Sequence, residues 1–267
     1  MLRTELRNEN SIHIDKMTSL EMVSLMNKEN MNSVLAVEKA LPQIALAVDA
    51  AAKAIGNGGK MVYIGAGTSG RLGVIDASEC PPTFGVDYET VQGIIAGGRE
   101  RMFKAGEHEE DVYEKGVADV EDVLNPGDIL VGISAAGGAR YVVGALEKAR
   151  EMGCTTVSVS SNAGTAIEKV ADIAIVCDTG PEVVTGSTRL KAGNSQKFVL
   201  NMLSTCAMIH TGKVYENLMI NLKPSNDKLR GRVVRITSAI LDCTEEEAIE
   251  RLDQNDWNIR RAVEGEK

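Results

Sequence analysis

The feature that most constrains the fold is an alternation of short apolar runs with stretches of helical periodicity. Short runs rich in apolar or β-branched residues, such as the one stopped by Gly65, are typical of buried strands. They lie at residues 60–65, 93–96, 128–133, 155–160 and 171–176. Stretches with helical spacing separate several of them, the clearest at residues 141–152. Strands alternating with helices predict parallel βαβ units, with helices on both faces of one sheet.

The segments around this alternation predict three regions. Residues 1–55 form a polar, extended arm over residues 1–17 and two helices that pack on the core, one starting after Thr18 or Ser19 and one over 33–55. Residues 56–222 form the α/β domain and end in a long helix from Ser187 or Lys191 to Ile209. After a linker at 223–227, residues 228–267 form a small helical, UBA-like module in which Thr244 begins a capping box.

Charge and composition exclude several functions. The 267 residues carry 29 Lys and Arg against 38 Asp and Glu, a net charge of −9, which argues against a nucleic-acid or anionic-membrane binder. One tryptophan, five tyrosines and three phenylalanines leave little for base stacking. No apolar run is long enough to span a membrane, and the charged N-terminus does not resemble a signal peptide.

The cysteines and histidines give no metal-binding spacing. Five cysteines form no CxxC pair, and three histidines lie far apart in the sequence. An odd number of scattered cysteines indicates reduced thiols in a reducing compartment, so we expect a cytoplasmic protein. We expect no metal ion and no cofactor.

A glycine loop follows the first predicted strand. Residues 65–70 read Gly-Ala-Gly-Thr-Ser-Gly, which fits the dinucleotide pattern GxGxxG, but no convincing acidic residue ends a second strand about twenty residues later. Two hydroxyls beside backbone N–H groups at a helix N-terminus suit a phosphate monoester. A tight turn with a hydroxyl cap is the alternative. The candidate phosphate ligands are Gly67, Thr68, Ser69 and Gly70.

Small polar residues follow two further strands and one later segment. The carboxyl ends of parallel strands meet at one edge of the sheet, so the loops at 134–138 and 160–164 converge with the glycine loop there. Residues 185–193 place hydroxyls and cations before a helix, where they either bind an anion or dock that helix. The candidate ligands are Ser134, Gly137, Ser160, Asn162, Thr185, Ser187 and Lys191.

Two groups of carboxylates are candidates for acid–base chemistry. Glu79 stands beside Pro81 and Pro82, and a glutamate partly desolvated by a rigid Pro-Pro turn would have a raised pKa suited to a general acid. A surface glutamate on a loop is the plainer interpretation. The acidic residues at 107–111 are expected on a helix, as a solvated face unless one member points inward.

At this point the chain resembles a known family. Residues 63–73 with 76–83, 95–98, 182–193 and 201–205 resemble the N-acetylmuramic acid 6-phosphate etherases, and the similarity extends from about Thr4 to the tail. The strings at 76–83 and 185–193 are long and specific. The resemblance implies a sugar isomerase (SIS) fold, which is a flavodoxin-like three-layer αβα sandwich around a parallel sheet, usually dimeric, with a sugar phosphate at the strand ends.

The resemblance also implies the chemistry. The family cleaves the D-lactyl ether of N-acetylmuramic acid 6-phosphate to N-acetylglucosamine 6-phosphate and D-lactate, in cell-wall amino-sugar catabolism. A base removes the C2 proton of the open-chain aldehyde, lactate leaves from C3 after its ether oxygen is protonated, and water adds to the unsaturated aldehyde. The two catalytic glutamates map to Glu79 as proton donor and Glu110 as base, with Glu109 one residue away.

Two departures from the family leave a second function open. Where the family usually has Ser, Arg and Thr in the second phosphate loop, this chain has Ala136, Gly138 and Ala139. Each lost hydrogen bond weakens phosphate binding by about 0.5–3 kcal/mol, unless backbone amides, Ser134 or Arg140 partly compensate. The C-terminal helical region is also shorter than family members usually have. The alternative function is a non-catalytic sugar-phosphate sensor or regulator on the same fold.

Overall fold

A parallel five-stranded sheet is the centre of the fold. The computed structural model describes residues 1–106, 108–222, 224 and 226–264. The strands are β1 (Met61–Gly65), β2 (Val91–Ile95), β3 (Ile129–Ile133), β4 (Thr155–Ser160) and β5 (Ile173–Val176). They pair in parallel in the order β2-β1-β3-β4-β5, which confirms the predicted α/β fold with a parallel sheet.

Helices connect and cover these strands. They are α1 (Ser19–Gly56), α2 (Gly67–Phe84), α3 (Tyr113–Glu121), α4 (Arg140–Glu151), α5 (Ala166–Val170), α6 (Lys191–His210), α7 (Asp227–Leu241), α8 (Glu245–Asp253) and α9 (Ile259–Glu264). Within the described parts of the chain, no helix combines the length and the apolar character needed to cross a bilayer.

Alternate side chains of β1 show that helices cover both faces of the sheet. Val62 and Ile64 belong to a buried cluster that includes Val142 and Leu146 of α4. Tyr63, between them, points to the other face, where its hydroxyl lies 2.8 Å from Asp76 Oδ2 on α2 and 3.3 Å from the Leu200 carbonyl oxygen on α6. This arrangement is the predicted three-layer αβα sandwich.

The N-terminal region differs from the prediction in two respects. One helix, α1, replaces the two predicted helices: residues 20–32, which precede the second predicted helix, contain no glycine or proline, and Pro42 lies inside α1. The helix starts after Thr18, one of the two predicted caps, and a capping box in which Thr18 pairs with Glu21 begins it. The arm that precedes it is not extended, because three short 3₁₀ turns fold it back.

The chain divides into two compact units. The first comprises residues 1–78 and 89–207, and the second gathers residues 79–88 with the described residues after 207. In the second unit α7, α8 and α9 enclose their own apolar cluster, which includes Val233, Leu252 and Ile259. The predicted capping box at Thr244 is present. Lys223 and Ser225 of the predicted linker lie outside the described residues.

Candidate active site

A pocket opens between the carboxyl ends of β1 and β3. The chain runs from β1 to β2 in one direction and returns to β3 on the other side of β1, so these two strands flank the topological switch point where ligands bind in such sheets. The pocket has a volume of about 340 Å³, which is within the range of small-molecule sites. Its walls include residues 66–69 after β1 and residues 134–136 with Ala139 after β3.

The glycine loop forms one wall as predicted, because the chain turns sharply from β1 into α2. Gly67 has a φ of +52°, a conformation that side-chain-bearing residues rarely adopt. Gly70 packs so closely under β1 that a Cβ there would lie 2.4 Å from the Gly65 carbonyl oxygen. Thr68 and Ser69 line the pocket, and the first N–H groups of α2 have no partner within the helix. This helix N-terminus therefore suits an anion.

The loop after β3 forms the second wall. Ser134 Oγ accepts a hydrogen bond of 3.1 Å from the Gly137 N–H, so its own proton stays available to a ligand. Gly137 itself lies behind the wall, with a φ of +76° and no room for a Cβ beside Thr165. Ala136 and Ala139 line the pocket where the family has hydroxyls.

The described residues of the pocket supply hydroxyls and carboxylates. Among the described residues that line it, none is a lysine or an arginine. Arg140, the suggested replacement for the lost loop arginine, is exposed and is not among them. Ser69 Oγ donates a 3.0 Å hydrogen bond to Gln196, so its proton is engaged. An anion here would depend on backbone N–H groups and on hydroxyls such as those of Thr68 and Ser134.

Glu110 lines this pocket, and Glu109 does not. The acidic segment forms a 3₁₀ turn over Glu109–Asp111 instead of the predicted α-helix, and this tight turn sends adjacent side chains apart. Glu107, the first residue of the predicted cluster, lies outside the described residues. Partial burial of the carboxyl, with the nearby charge of Asp111, raises the pKa of Glu110 above its ordinary value. The residue keeps enough exposed surface to meet a ligand.

Glu109 forms ion pairs with two cationic side chains outside the pocket. Its carboxylate pairs with Lys115 Nζ at 2.8 Å and with an Arg101 guanidinium nitrogen at 3.3 Å. The hydrogen bond from Lys115 is the main cause of the lowered pKa of Glu109. Of the two neighbouring glutamates, therefore, Glu110 lines the pocket with a raised pKa, and Glu109 lies outside it with a lowered one.

Ser160 and Asn162 lie behind the pocket and are engaged in hydrogen bonds. Ser160 Oγ donates to the Asn162 carbonyl oxygen at 2.9 Å. Asn162 Nδ2 lies 3.1 Å from Thr4 Oγ1 and 3.1 Å from the Ala135 carbonyl oxygen. Both residues are almost fully buried, so the structure gives them a supporting position and not a place on the wall.

Lys191 also lies away from the pocket. The side chain is 2% exposed, and its Nζ contacts Glu29 Oε2 at 2.6 Å in a buried ion pair. Thr185 and Ser187 do not line the pocket either, although Gly186 and Thr188, their neighbours in the chain, do. The segment before α6 thus reaches the site through residues adjacent to those predicted.

Glu79 is an exposed residue of α2 and is not among those that line the pocket. The expected Pro-Pro turn is absent, because Pro81 and Pro82 continue α2 to Phe84. The expectation that a turn would desolvate Glu79 is therefore wrong for the single chain.

Sequence reasoning missed one carboxylate of the site. Glu5, from the N-terminal arm, lines the pocket together with Glu110 and Thr188. The polar sequence of the arm carries no periodicity, and the contacts that place it join residues about 160 positions apart. No local pattern therefore signals the position of Glu5.

Comparison with known proteins assigns the fold to the SIS class. The family model of the glucokinase regulatory protein N-terminal SIS domain matches residues 43–150. A phosphoheptose isomerase from Francisella tularensis is similar in structure, with a TM-score of 0.54 over 72% of this chain and 98% of that one, at 20% identity. The protein is thus an α/β protein of the SIS class.

Similarity over nearly the whole chain narrows this class to one family. The N-acetylmuramic acid 6-phosphate etherase of Symbiobacterium thermophilum is 49% identical over 98% of this chain and 87% of its own length. The one from Clostridium beijerinckii is 51% identical over 98% of this chain and 86% of its length. The chain belongs to the N-acetylmuramic acid 6-phosphate etherase family, which confirms the resemblance found in the sequence.

Proposed function

We propose that this protein is a lyase that cleaves the D-lactyl ether of N-acetylmuramic acid 6-phosphate to N-acetylglucosamine 6-phosphate and D-lactate. The observation that carries the proposal is Glu110, a carboxylate with a raised pKa in a pocket whose other end suits a phosphate. Membership of the etherase family supplies the reaction. The phosphate lies at the N-terminus of α2, near Thr68 and Ser134.

Glu110 acts as the base. It removes the C2 proton of the open-chain sugar, which the adjacent aldehyde makes acidic, and the electron pair forms the C2–C3 double bond as lactate leaves from C3. A raised pKa makes this carboxylate a stronger base than an ordinary glutamate. Water then adds across the double bond to give the 3-hydroxyl of the product.

Glu79 acts as the acid that protonates the departing ether oxygen. A proton donor must come within hydrogen-bond reach of the oxygen it protonates, and Glu79 is not on the wall of the pocket in the single chain. We therefore propose a homodimer, in which the partner subunit's Glu79 lies within hydrogen-bond reach of a ligand in the pocket that contains Glu110.

An apolar groove supports the homodimer. Val34 and Leu41 of α1 and Phe198 and Met202 of α6 line a groove of about 650 Å³. Val34 is 50% exposed and Leu41 is 44% exposed, so large apolar side chains of the groove are left open to solvent. A second copy would bury this face. The five free cysteines fit the cytoplasmic location that we propose.

The test is incubation of the purified protein with N-acetylmuramic acid 6-phosphate and measurement of D-lactate. We expect release by the wild type and loss of release in Glu110→Gln and in Glu79→Gln. Glu109→Gln is the matched control for Glu110 and should retain activity. Binding of N-acetylglucosamine 6-phosphate without release of lactate by the wild type would instead identify a sugar-phosphate sensor, the alternative that the altered loop leaves open.

Mixing the two inactive variants tests the shared site. If each site takes Glu110 from one copy and Glu79 from the other, a mixed dimer of Glu79→Gln and Glu110→Gln contains one intact site. Random reassociation makes half of the dimers mixed, so about a quarter of the wild-type activity should return. Inactive mixtures, in a sample whose subunit exchange is confirmed by mass spectrometry, would refute the partner assignment while leaving the reaction itself intact.

A further inference from the structure

The pocket contains a second carboxylate, Glu5, to which neither the sequence resemblance nor the proposed mechanism gives a role. Glu5 lines the same cavity as Glu110, Thr68 and Ser134. Its Oε2 lies 3.5 Å from the position that a Cβ on Gly186 would occupy. Among the described residues no cation pairs with it, in contrast to Glu109, which two cations hold.

Glu5 is held in place by its neighbour in the chain. Thr4 is fully buried, and its backbone N–H lies 3.4 Å from Asn162 Oδ1, while Asn162 Nδ2 lies 3.1 Å from Thr4 Oγ1. The same amide nitrogen contacts the carbonyl oxygen of Ala135, a residue of the pocket wall. One buried asparagine therefore fixes the arm and the wall to each other.

A second anchor holds the arm on the other side of Glu5. Asn8 Nδ2 contacts Glu29 at 2.8 Å and the Pro181 carbonyl oxygen at 3.1 Å. The conformational entropy of the arm is thus lost during folding and not on ligand binding, so Glu5 meets a ligand in a preorganised position.

Charge decides which part of a ligand Glu5 faces. A carboxylate repels a phosphate dianion, so the phosphate belongs at the α2 end of the pocket, with its N–H groups and hydroxyls. An ionised carboxylate only accepts hydrogen bonds, and the donors of a sugar phosphate are its hydroxyls and, in an N-acetyl sugar, its amide N–H.

We propose that Glu5 is a substrate-binding residue that accepts a hydrogen bond from a hydroxyl or amide N–H of the sugar and so selects for the sugar part of the ligand. This inference rests on the proposed function for its ligand class. It adds to the site a residue from the arm, whereas Glu110 supplies the base.

Titration calorimetry with two probes tests the inference. Glu5→Ala should weaken binding of N-acetylglucosamine 6-phosphate at least tenfold, as expected for loss of a hydrogen bond to a charged group. Binding of inorganic phosphate should stay within about twofold of the wild type. Glu9→Ala, another exposed carboxylate of the arm that does not line the pocket, is the matched control and should change neither affinity.

A positioning variant separates contact with the ligand from damage to the fold. Thr4→Val removes the hydroxyl that anchors the arm and should weaken sugar-phosphate binding in the same direction as Glu5→Ala. The double variant should be no weaker than Glu5→Ala alone, because both changes act through one carboxylate. In turnover the effect should fall on KM, with kcat within a few-fold of the wild type.

The outcomes are distinguishable. Unchanged sugar-phosphate affinity in Glu5→Ala, or an equal loss in Glu9→Ala, overturns the role of Glu5 and leaves the proposed function intact. A wild type that binds sugar phosphate but releases no lactate refutes the etherase, while the affinities of the two variants still decide the role of Glu5. A wild type that binds no sugar phosphate overturns both.

Discussion

Removing Glu29 should destabilise the protein strongly, although the residue lies outside the pocket. Its carboxylate is buried and pairs with Lys191 Nζ at 2.6 Å, and it also contacts Asn8 Nδ2 at 2.8 Å and Asn10 Nδ2 at 2.9 Å. In Glu29→Ala the Lys191 ammonium, 2% exposed, loses the carboxylate that it pairs with. Breaking a buried pair in this way costs about 3–5 kcal/mol.

Thermal unfolding followed by circular dichroism measures this loss. At about 2–4 °C per kcal/mol for a unit of this size, the midpoint should fall by about 6–20 °C. Glu29→Leu combined with Lys191→Met is the control, because replacing both charges removes the stranded ammonium and should recover about 1–3 kcal/mol.

The effect should also depend on pH with a known sign. Burial alone would raise the pKa of Glu29, but the hydrogen bonds from Lys191, Asn10 and Asn8 outweigh it and hold the pKa below its ordinary value. The stabilisation is therefore present at neutral pH and is lost as the pH falls below about 4. A loss under about 1 kcal/mol at pH 7, or a double variant less stable than Glu29→Ala, would refute this reasoning.

Three further predictions concern the pocket. Because the pKa of Glu110 is raised, the acid limb of the pH profile of kcat/KM should lie above about pH 4.3, the ordinary pKa of glutamate. A pKa that is higher in the folded state than in the unfolded state means that ionisation of Glu110 destabilises the fold. Glu110→Gln should therefore lose activity but unfold at the same temperature or higher at pH 7. Ala136→Ser, which restores a hydroxyl on the wall, should tighten binding of inorganic phosphate by about 0.5–1.5 kcal/mol, or roughly 2–13-fold, measured by titration calorimetry against the wild type. Gly70→Ala places a Cβ 2.4 Å from the Gly65 carbonyl oxygen and should lower both the unfolding temperature and sugar-phosphate affinity, whereas Gly138→Ala, with open space around its Cβ, should change the unfolding temperature little.

The sheet and the glycine loop are predictable from the sequence because the signals are local. A short run rich in apolar and β-branched residues is buried wherever it pairs, so all five strands are found within about two residues of their predicted limits. The position of the pocket follows from the strand order, and Thr68 and Ser134 reach it because they directly follow strands that lie side by side.

The residues that sequence reasoning misplaced depend on partners far away in the chain. In the sequence, Lys191 stands near hydroxyl residues and therefore suggests an anion ligand. In the structure its ammonium pairs with the carboxylate of Glu29, 162 positions earlier in the chain. The prolines after Glu79 suggest a turn, because proline lacks the N–H that donates a helical hydrogen bond. Both prolines lie in the last turn of α2, so the hydrogen bonds that they cannot make are lost only at the end of the helix. Glu5 has no local signal at all.

The anchoring of the arm sets an order on folding during synthesis. Thr4 emerges from the ribosome among the first residues, but its partner Asn162 is 158 positions later, and Arg3 pairs with Asp178, 175 positions later. Closing loops of this length is slow, so the arm docks only after the sheet has formed. Chains interrupted before Asn162 would therefore expose both an unattached arm and an open pocket wall.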